Sequence, residues 1–221
     1  MIRLFDIILS SLALIALLPL LGPLALILSF TGEGKVFYRQ ERIGKKKKSF
    51  QLLKFATMLE DSPNLPGGDI TSGNDPRVLP VGKLLRKTKI NELPQLINIL
   101  YGEISIIGPR PLTPKNFLMY NEGVQEMISK VRPGLSGIGS IVFRDEENVI
   151  SLSDKNSVDC YKYDISPYKG TLECWFVKNK SIYLYVSLIL LTIWVVLFPK
   201  TKIIWKLFPS LPKPPKSLGL D

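Results

Sequence analysis

Residues 7–30 read IILSSLALIALLPLLGPLALILSF and contain no charged side chain. At ~1.5 Å per residue a helix of this length covers the ~30 Å hydrocarbon core of a bilayer. The run is too long for the apolar core of a cleaved export signal, and it lacks a convincing small-residue cleavage site, so it reads as a retained membrane segment. Pro19 and Pro23 flank Gly22 in its middle. Each proline removes a backbone donor and disfavours helix geometry in the residue before it. The expectation is a break at Leu18 and Pro19 that divides residues 1–30 into two helical halves. Such halves could enter and leave one leaflet, keeping Arg3 and the group Lys35, Arg39 and Arg42 at the same headgroups. A kinked helix that crosses the bilayer satisfies the composition equally well.

Working outward, the chain has 221 residues and a formal charge of +10, from 29 Lys and Arg against 19 Asp and Glu. That excess calls for an anionic partner: lipid headgroups, phosphates or nucleic acid. No helix-turn-helix, zinc finger or aromatic-rich RNA motif is present, and the basic residues gather beside the membrane segment, so nucleic acid is not an expected partner. Lys45 to Lys48 form a solvated turn or lie against anionic lipid, the second being favoured by their place after the membrane segment. The absence of histidine removes Ser-His-Asp triads, imidazole bases and His-ligated zinc. Cys160 and Cys174 have no metal-type spacing and are expected as reduced thiols of a cytosolic domain.

Residues 31–180 have the mixed composition of a folded domain. Val36 to Gln40 and Phe50 to Phe55 are short strand or helix pieces, and Asp61 to Pro80, with four prolines and Gly67, Gly68 and Gly73, is a long loop. Leu93, Leu96, Ile97 and Leu100 mark one face of an amphipathic helix. Asn91 is placed to cap it, Pro94 is tolerated in its first turn, and Gly102 suits a left-handed end. Glu92 then lies where a helix start favours a bound phosphate, and where a carboxylate could hold magnesium against a diphosphate. Arg86, Lys87 and Lys89 add cations, and Gly108-Pro109-Arg110-Pro111 fixes a guanidinium between two prolines. Residues 181–199 are a second apolar stretch, short for a bilayer crossing and expected to be membrane-embedded or interfacial. Residues 200–221, rich in Lys and Pro, read as an extended, unstructured end.

Several stretches together resemble one family, the monotopic phosphoglycosyl transferases or bacterial sugar transferases. They are the proline-broken apolar start, residues 36–44 (VFYRQERIG), 74–77 (NDPR), 85–88 (LRKT), 92–96 (ELPQL), 108–111 (GPRP) and 132–137 (RPGLSG). The resemblance implies an α+β, mostly helical fold. A small cytosolic catalytic domain would sit on a re-entrant membrane helix, at the cytoplasmic face of the bacterial inner membrane. It implies transfer of a phosphosugar from a UDP-sugar to polyprenyl phosphate, initiating glycoconjugate assembly, with Mg2+ as cofactor. Membrane lipids and downstream glycosyltransferases would be partners, and a homodimer is compatible. By position, Glu92 would be the metal carboxylate, Arg86 and Arg110 would bind phosphate or nucleotide, and Pro109 with Pro111 would shape the pocket. Residues 62–73 and 144–168 would read the sugar.

In that family an Asp-Glu pair precedes Leu-Pro-Gln, and the Asp attacks the β-phosphate. Here Asn91 stands in its place, and a neutral amide is a poor nucleophile at phosphorus. Glu173 stands where the family carries Asp, keeping a carboxylate for substrate, metal or base work. Residues 143–147 (FRDEE) add acids that the common form lacks. Three readings stay open. Asp145 or Glu146 could fold back as nucleophile or metal ligand; the lipid phosphate could attack the bound UDP-sugar directly; or the chain could be a membrane scaffold without turnover.

Overall fold

The computed structural model of the protein describes residues 1–65, 71, 75–198 and 203–220, leaving out the side chain of Ser217. The chain begins with helix α1 (Ile2–Ser29) and a hairpin of strands β1 (Phe37–Ile43) and β2 (Ser49–Phe55). Next come α2 (Pro80–Lys87), α3 (Gln95–Tyr101), strand β3 (Ser105–Ile107), α4 (Pro114–Phe117) and α5 (Glu122–Ile128). Strand β4 (Gly134–Ser136) pairs in parallel with β3. It is followed by α6 (Ile138–Val142), α7 (Glu146–Ser151), α8 (Ser157–Asp159) and a wide π turn over Cys160–Ile165. Helices α9 (Ser166–Lys178), α10 (Ile182–Leu197) and α11 (Ile204–Leu207) complete the chain.

The break anticipated at Leu18 and Pro19 does not appear: α1 is one helix with both prolines inside it. A proline deletes one donor, whereas unwinding would leave several backbone groups bare on an apolar surface, so the remaining hydrogen bonds hold the helix. Along its whole length one stripe, Asp6, Ser10, Leu14, Leu17, Leu21, Leu24 and Leu28, is turned toward the domain at spacings of three and four. Leu14 and Leu17 pack on the cluster of Leu52, Leu96, Ile99 and Ile104. Leu21, Leu24 and Leu28 pack with Phe55 and Leu85. At the other end the Arg3 guanidinium donates to the carbonyls of Ile99 and Leu100. Buried Asp6 accepts from the Ser105 hydroxyl, the Ile106 N–H and the Tyr185 hydroxyl. The other faces expose Leu12, Ile15, Leu18 and Leu26, each well over half accessible. A helix so apolar outside is covered by lipid, and α1 is an element of membrane association.

The two pieces at 36–40 and 50–55 are strands of one antiparallel hairpin, with Phe37 opposite Phe55 and Ile43 opposite Ser49. Lys45 to Lys48 turn between them. Lys46 and Lys47 take left-handed φ near 59°, and Lys47 pairs with Glu126. The 61–80 loop is tied down by a buried pair: Arg77 gives Nε and an Nη2 proton to the two oxygens of Asp75, at 2.8 and 2.5 Å, and Nη1 to the Ser62 carbonyl. Pro66, Gly67, Gly68, Gly73 and Asn74 lie outside the described residues. The helix expected to start at Asn91 starts instead at Gln95, behind a 3-10 turn over Ile90–Glu92. Pro94 cannot donate back to Ile90, so the chain tightens to i→i+3 bonds there, and Asn91 caps nothing. Gly102 ends α3 in the left-handed conformation as its position suggested, φ 82°.

The main core gathers α6, α9 and α10. Leu184, Tyr185, Leu188, Leu191 and Val195 turn one side of α10 inward, while Leu190, Ile193, Trp194 and Leu197 face out. The carboxyl-terminal segment is not a loose end: Phe208, Leu211 and Leu218 are buried in this core, and the Tyr168 hydroxyl donates to the Pro212 carbonyl. Three apolar anchors among its prolines outweigh the extended bias of the backbone. The first residues of that segment, 200–202, are outside the description.

The Arg77 hydrogen bonds hold the Asp75 carboxyl below its ordinary pKa, against the opposing effect of burial. Its stabilisation is therefore complete above the unfolded value near ~3.9 and lost as pH falls through the lower folded value. Replacing Arg77 with Ala strands a buried carboxylate and should cost about 3–5 kcal/mol. Denaturant titrations of the detergent-solubilised protein should show this loss at pH 7 and a smaller one near pH 3.

Candidate active site

The site is built on a contact between glycines. In the 108–111 and 132–137 stretches, the Gly108 N–H donates to the Ser136 carbonyl at 2.9 Å and the Gly134 N–H to the Pro109 carbonyl at 2.8 Å. A Cβ on Gly134 would fall 2.1 Å from the Gly108 nitrogen, and one on Gly137 would fall 2.1 Å from the Gly108 oxygen. No side chain fits, so the two backbones meet directly. Pro109 and Pro111 are buried on either side of Arg110, and the Arg42 guanidinium donates to the Pro111 carbonyl at 2.9 Å. Arg110 thereby leaves the strand end in a fixed direction.

That direction is toward Glu92. Arg110 Nη2 stands 3.6 Å from a Glu92 carboxylate oxygen, and both side chains line a cavity of about 380 Å³. Lys89, Arg144, Glu146, Glu147 and Lys169 line its polar part, and Leu135, Ile141, Val195 and Val196 its apolar part. A neighbouring cavity of about 110 Å³ shares Arg110, Glu146, Glu147 and Lys169 and adds Arg42 and Arg86. A third, of about 80 Å³, takes Arg86 together with Lys54 and Asn91. The sequence-predicted Glu92 and Arg110 thus line one cavity, Arg110 and Arg86 the next, and Arg86 and Asn91 the third, three neighbouring cavities with shared linings that make up the hollow.

Cations prevail in it. Burial lowers the Lys54 pKa well below its ordinary value, and Arg42, Arg110 and Arg86 press it further while Glu92 opposes. Burial alone would raise the Glu92 carboxyl, but Arg110, Lys54, Lys89 and Arg42 outweigh it and leave the pKa lowered. Arg110 is likewise held more firmly protonated by Glu92, Glu146, Tyr161 and Glu173 than burial disfavours. Among the described residues seven basic side chains against three carboxylates line the hollow, a surplus suited to a diphosphate.

Not every predicted residue faces the hollow. Asp145 is exposed and lines none of these cavities, whereas its neighbours do: Glu147 pairs with Arg86 at 2.6 Å and Glu146 with Lys169. Glu173 is buried behind the hollow and accepts the Arg110 N–H at 3.2 Å; its other oxygen has no partner among the described residues. It therefore positions the Arg110 backbone and does not meet solvent. Asn91 is 5% exposed with its Oδ1 also unpartnered among them. Nothing in the sequence sets Lys54 or Lys169 apart as a site residue, and Arg42, expected at the headgroups with Lys35 and Arg39, is instead buried against the Pro111 carbonyl. Lys169 leaves only a trace, one helical turn before Glu173.

Residues 1–199 match the pattern of the bacterial sugar transferase family. The chain belongs to that family. It is 37% identical over 158 residues to the exopolysaccharide production protein ExoY of Sinorhizobium fredii, covering 65% of this chain and 70% of that protein. It is 37% identical over 156 residues to the undecaprenyl-phosphate glucose phosphotransferase of Komagataeibacter xylinus, covering 65% and 29%. With the UDP-glucose:undecaprenyl-phosphate glucose-1-phosphate transferase of Escherichia coli it shares 31% over 195 residues, covering 85% and 38%. This sugar transferase chain spans most of the first relative but well under half of the other two.

In this sugar transferase, burial pushes the Glu173 pKa up to about 7, although the Arg110 N–H, Lys169 and the Arg110 charge all oppose it. A raised carboxyl stabilises the fold fully below the unfolded value near ~4.3 and loses that contribution as pH rises through about 7. Glu173→Gln keeps the acceptor oxygen without the charge. Thermal melts should match the parent below about pH 4 and exceed it at pH 8.5, by up to about 3–4 kcal/mol in stability.

Proposed function

We propose that the protein transfers a phosphosugar from a UDP-sugar to a polyprenyl phosphate at the cytoplasmic face of the bacterial inner membrane, the first step of a glycoconjugate such as an exopolysaccharide. The observation that carries this is the grouping of Arg86, Lys54, Arg110 and Lys169 around neighbouring cavities, one of which has an apolar wall that includes Val195 and Val196 of α10. A diphosphate fits the first and an isoprenoid tail the second. The transferase names of the Komagataeibacter and Escherichia coli relatives support the same reading. Because a stripe along the whole of α1 packs on the domain, this apolar helix would hold the hollow beside the membrane, where donor and acceptor phosphates could meet at the headgroup level.

Magnesium fits the residues present. Among the described residues no group of three His, Cys, Asp or Glu side chains could hold a metal. Magnesium, however, is commonly bound by one or two carboxylates with water and substrate phosphates. Glu92, whose ion pair among the described residues is a long one to Arg110, would be that carboxylate. The ion would supply neutralisation of charge on the diphosphate oxygens. The protein's own groups do the rest. Arg86 and Arg110 hold and align the donor phosphates, Lys54 deepens the positive field, and Glu173 with the two prolines keeps Arg110 aimed.

Purified protein given magnesium, a panel of UDP-sugars and undecaprenyl phosphate should release UMP. Arg110→Ala and Glu92→Gln should each lower kcat/KM by about 10²–10³, with melting temperature retained. No UMP above the Glu92→Gln level with any UDP-sugar would reduce the protein to a nucleotide-sugar-binding scaffold.

A further inference from the structure

The hollow lacks an obvious group to attack phosphorus. Asn91 carries a neutral amide and is almost fully enclosed. Glu92, 3.6 Å from Arg110, is the carboxylate given to magnesium above. Glu173 is buried behind the floor and tied to the Arg110 N–H. Glu146 is locked to Lys169, whose ammonium lies over the rings of Phe143 and Tyr161 at 5.4 and 5.8 Å. One carboxylate differs from these. The Glu147 side chain is 45% exposed, lines both the 380 and the 110 Å³ cavities, and pairs among the described residues with Arg86 at 2.6 Å.

Arg86 also lines the cavity in which Asn91 stands. Glu147 therefore reaches the hollow from α7, on the far side of the chain from the 90–92 turn, and ends at the same guanidinium that would receive the donor's diphosphate. A phosphate that takes Arg86 releases Glu147 beside the phosphorus, with its side chain accessible and its helix anchored by buried Ile150. Glu146 is tied to Lys169 on the neighbouring position, so the backbone at the start of α7 is held while Glu147 is left to move.

Resting on the transferase reading above, we propose that Glu147 is the catalytic nucleophile of this chain, supplying from α7 the carboxylate that position 91 does not. A Glu147 carboxylate oxygen forms a bond to the β-phosphorus of the UDP-sugar. The bond from that phosphorus to the bridging oxygen breaks, and the oxygen departs with its electron pair as part of UMP. The product is an acyl phosphosugar on Glu147. An oxygen of polyprenyl phosphate then bonds to the same phosphorus, the acyl–oxygen–phosphorus link breaks, and the carboxylate returns. Neither step needs a proton or a further reactant.

The test uses the full chain in detergent with magnesium and a UDP-sugar that supports UMP release. Without lipid acceptor, intact mass should show one phosphosugar adduct. Hydroxylamine should remove it, leaving a hydroxamate that peptide mass spectrometry locates at Glu147. Glu147→Gln should lose the adduct and at least a hundredfold of turnover while still binding UDP. An adduct located at another residue, turnover without any adduct, or an adduct that survives in Glu147→Gln would overturn the assignment and leave the transferase reading standing. Failure of every UDP-sugar to release UMP would instead remove the reading beneath it, and this assignment with it.

Discussion

The arrangement of the site depends on how closely two backbones can approach. Gly108 and Gly134 meet where even a methyl group would overlap a backbone nitrogen, and that approach lets β3 and β4 pair across a chain separation of nearly thirty residues. Everything that aims Arg110 follows from it. The flanking prolines fix the path, Arg42 binds the Pro111 carbonyl, and Glu173 takes the Arg110 N–H. Loosening the glycine contact would leave each charged group intact and still scatter the hollow, because a guanidinium displaced by about 1 Å no longer matches a phosphate.

Membrane attachment is joined to this frame by polar bonds. Asp6 accepts from Ser105 and Ile106 in β3 and from Tyr185 in α10, so the apolar helix, the strand that precedes Arg110 and the helix that walls the cavity share one buried carboxylate. Arg3 closes the last carbonyls of α3, next to the left-handed Gly102, satisfying acceptors that a helix end would otherwise leave bare. The catalytic floor therefore sits at a set height relative to the exposed apolar faces of α1 and α10. For an enzyme whose acceptor carries its phosphate at the membrane surface, that height is part of the site.

Much of this was legible in the chain. The apolar run, the turn chemistry at Gly102 and the two proline-framed motifs pointed to residues that the fold does gather, because those signals are local and come from backbone chemistry. What escaped notice depends on partners distant in sequence. Asn91 had the composition of a cap, but Pro94 moved the start of α3 past it. Pro19 had the composition of a break, but a continuous stripe of contacts from Asp6 to Leu28 holds the helix whole. The proline-rich end looked extended, yet Phe208, Leu211 and Leu218 find places in the core. Lys54 is one of several lysines along the chain until the fold sets it among Arg42, Arg86 and Arg110.

The amide at position 91 is the sharpest of these cases, and charge explains why the structure tolerates it. An acid there would face Lys54 and Arg86 across the same small cavity and would find strong partners. The amide finds none among the described residues for its Oδ1, so the change gives up stabilisation at that point. The compensation comes from α7. Glu146 and Glu147 bring two carboxylates to the hollow and neutralise Lys169 and Arg86, cations that would otherwise repel one another in a low-dielectric floor. The negative charge missing from the 90–92 turn is thus delivered by a segment more than fifty residues later. When a diphosphate enters, it competes with those carboxylates for the same guanidinium, so substrate binding and release of Glu147 become one event.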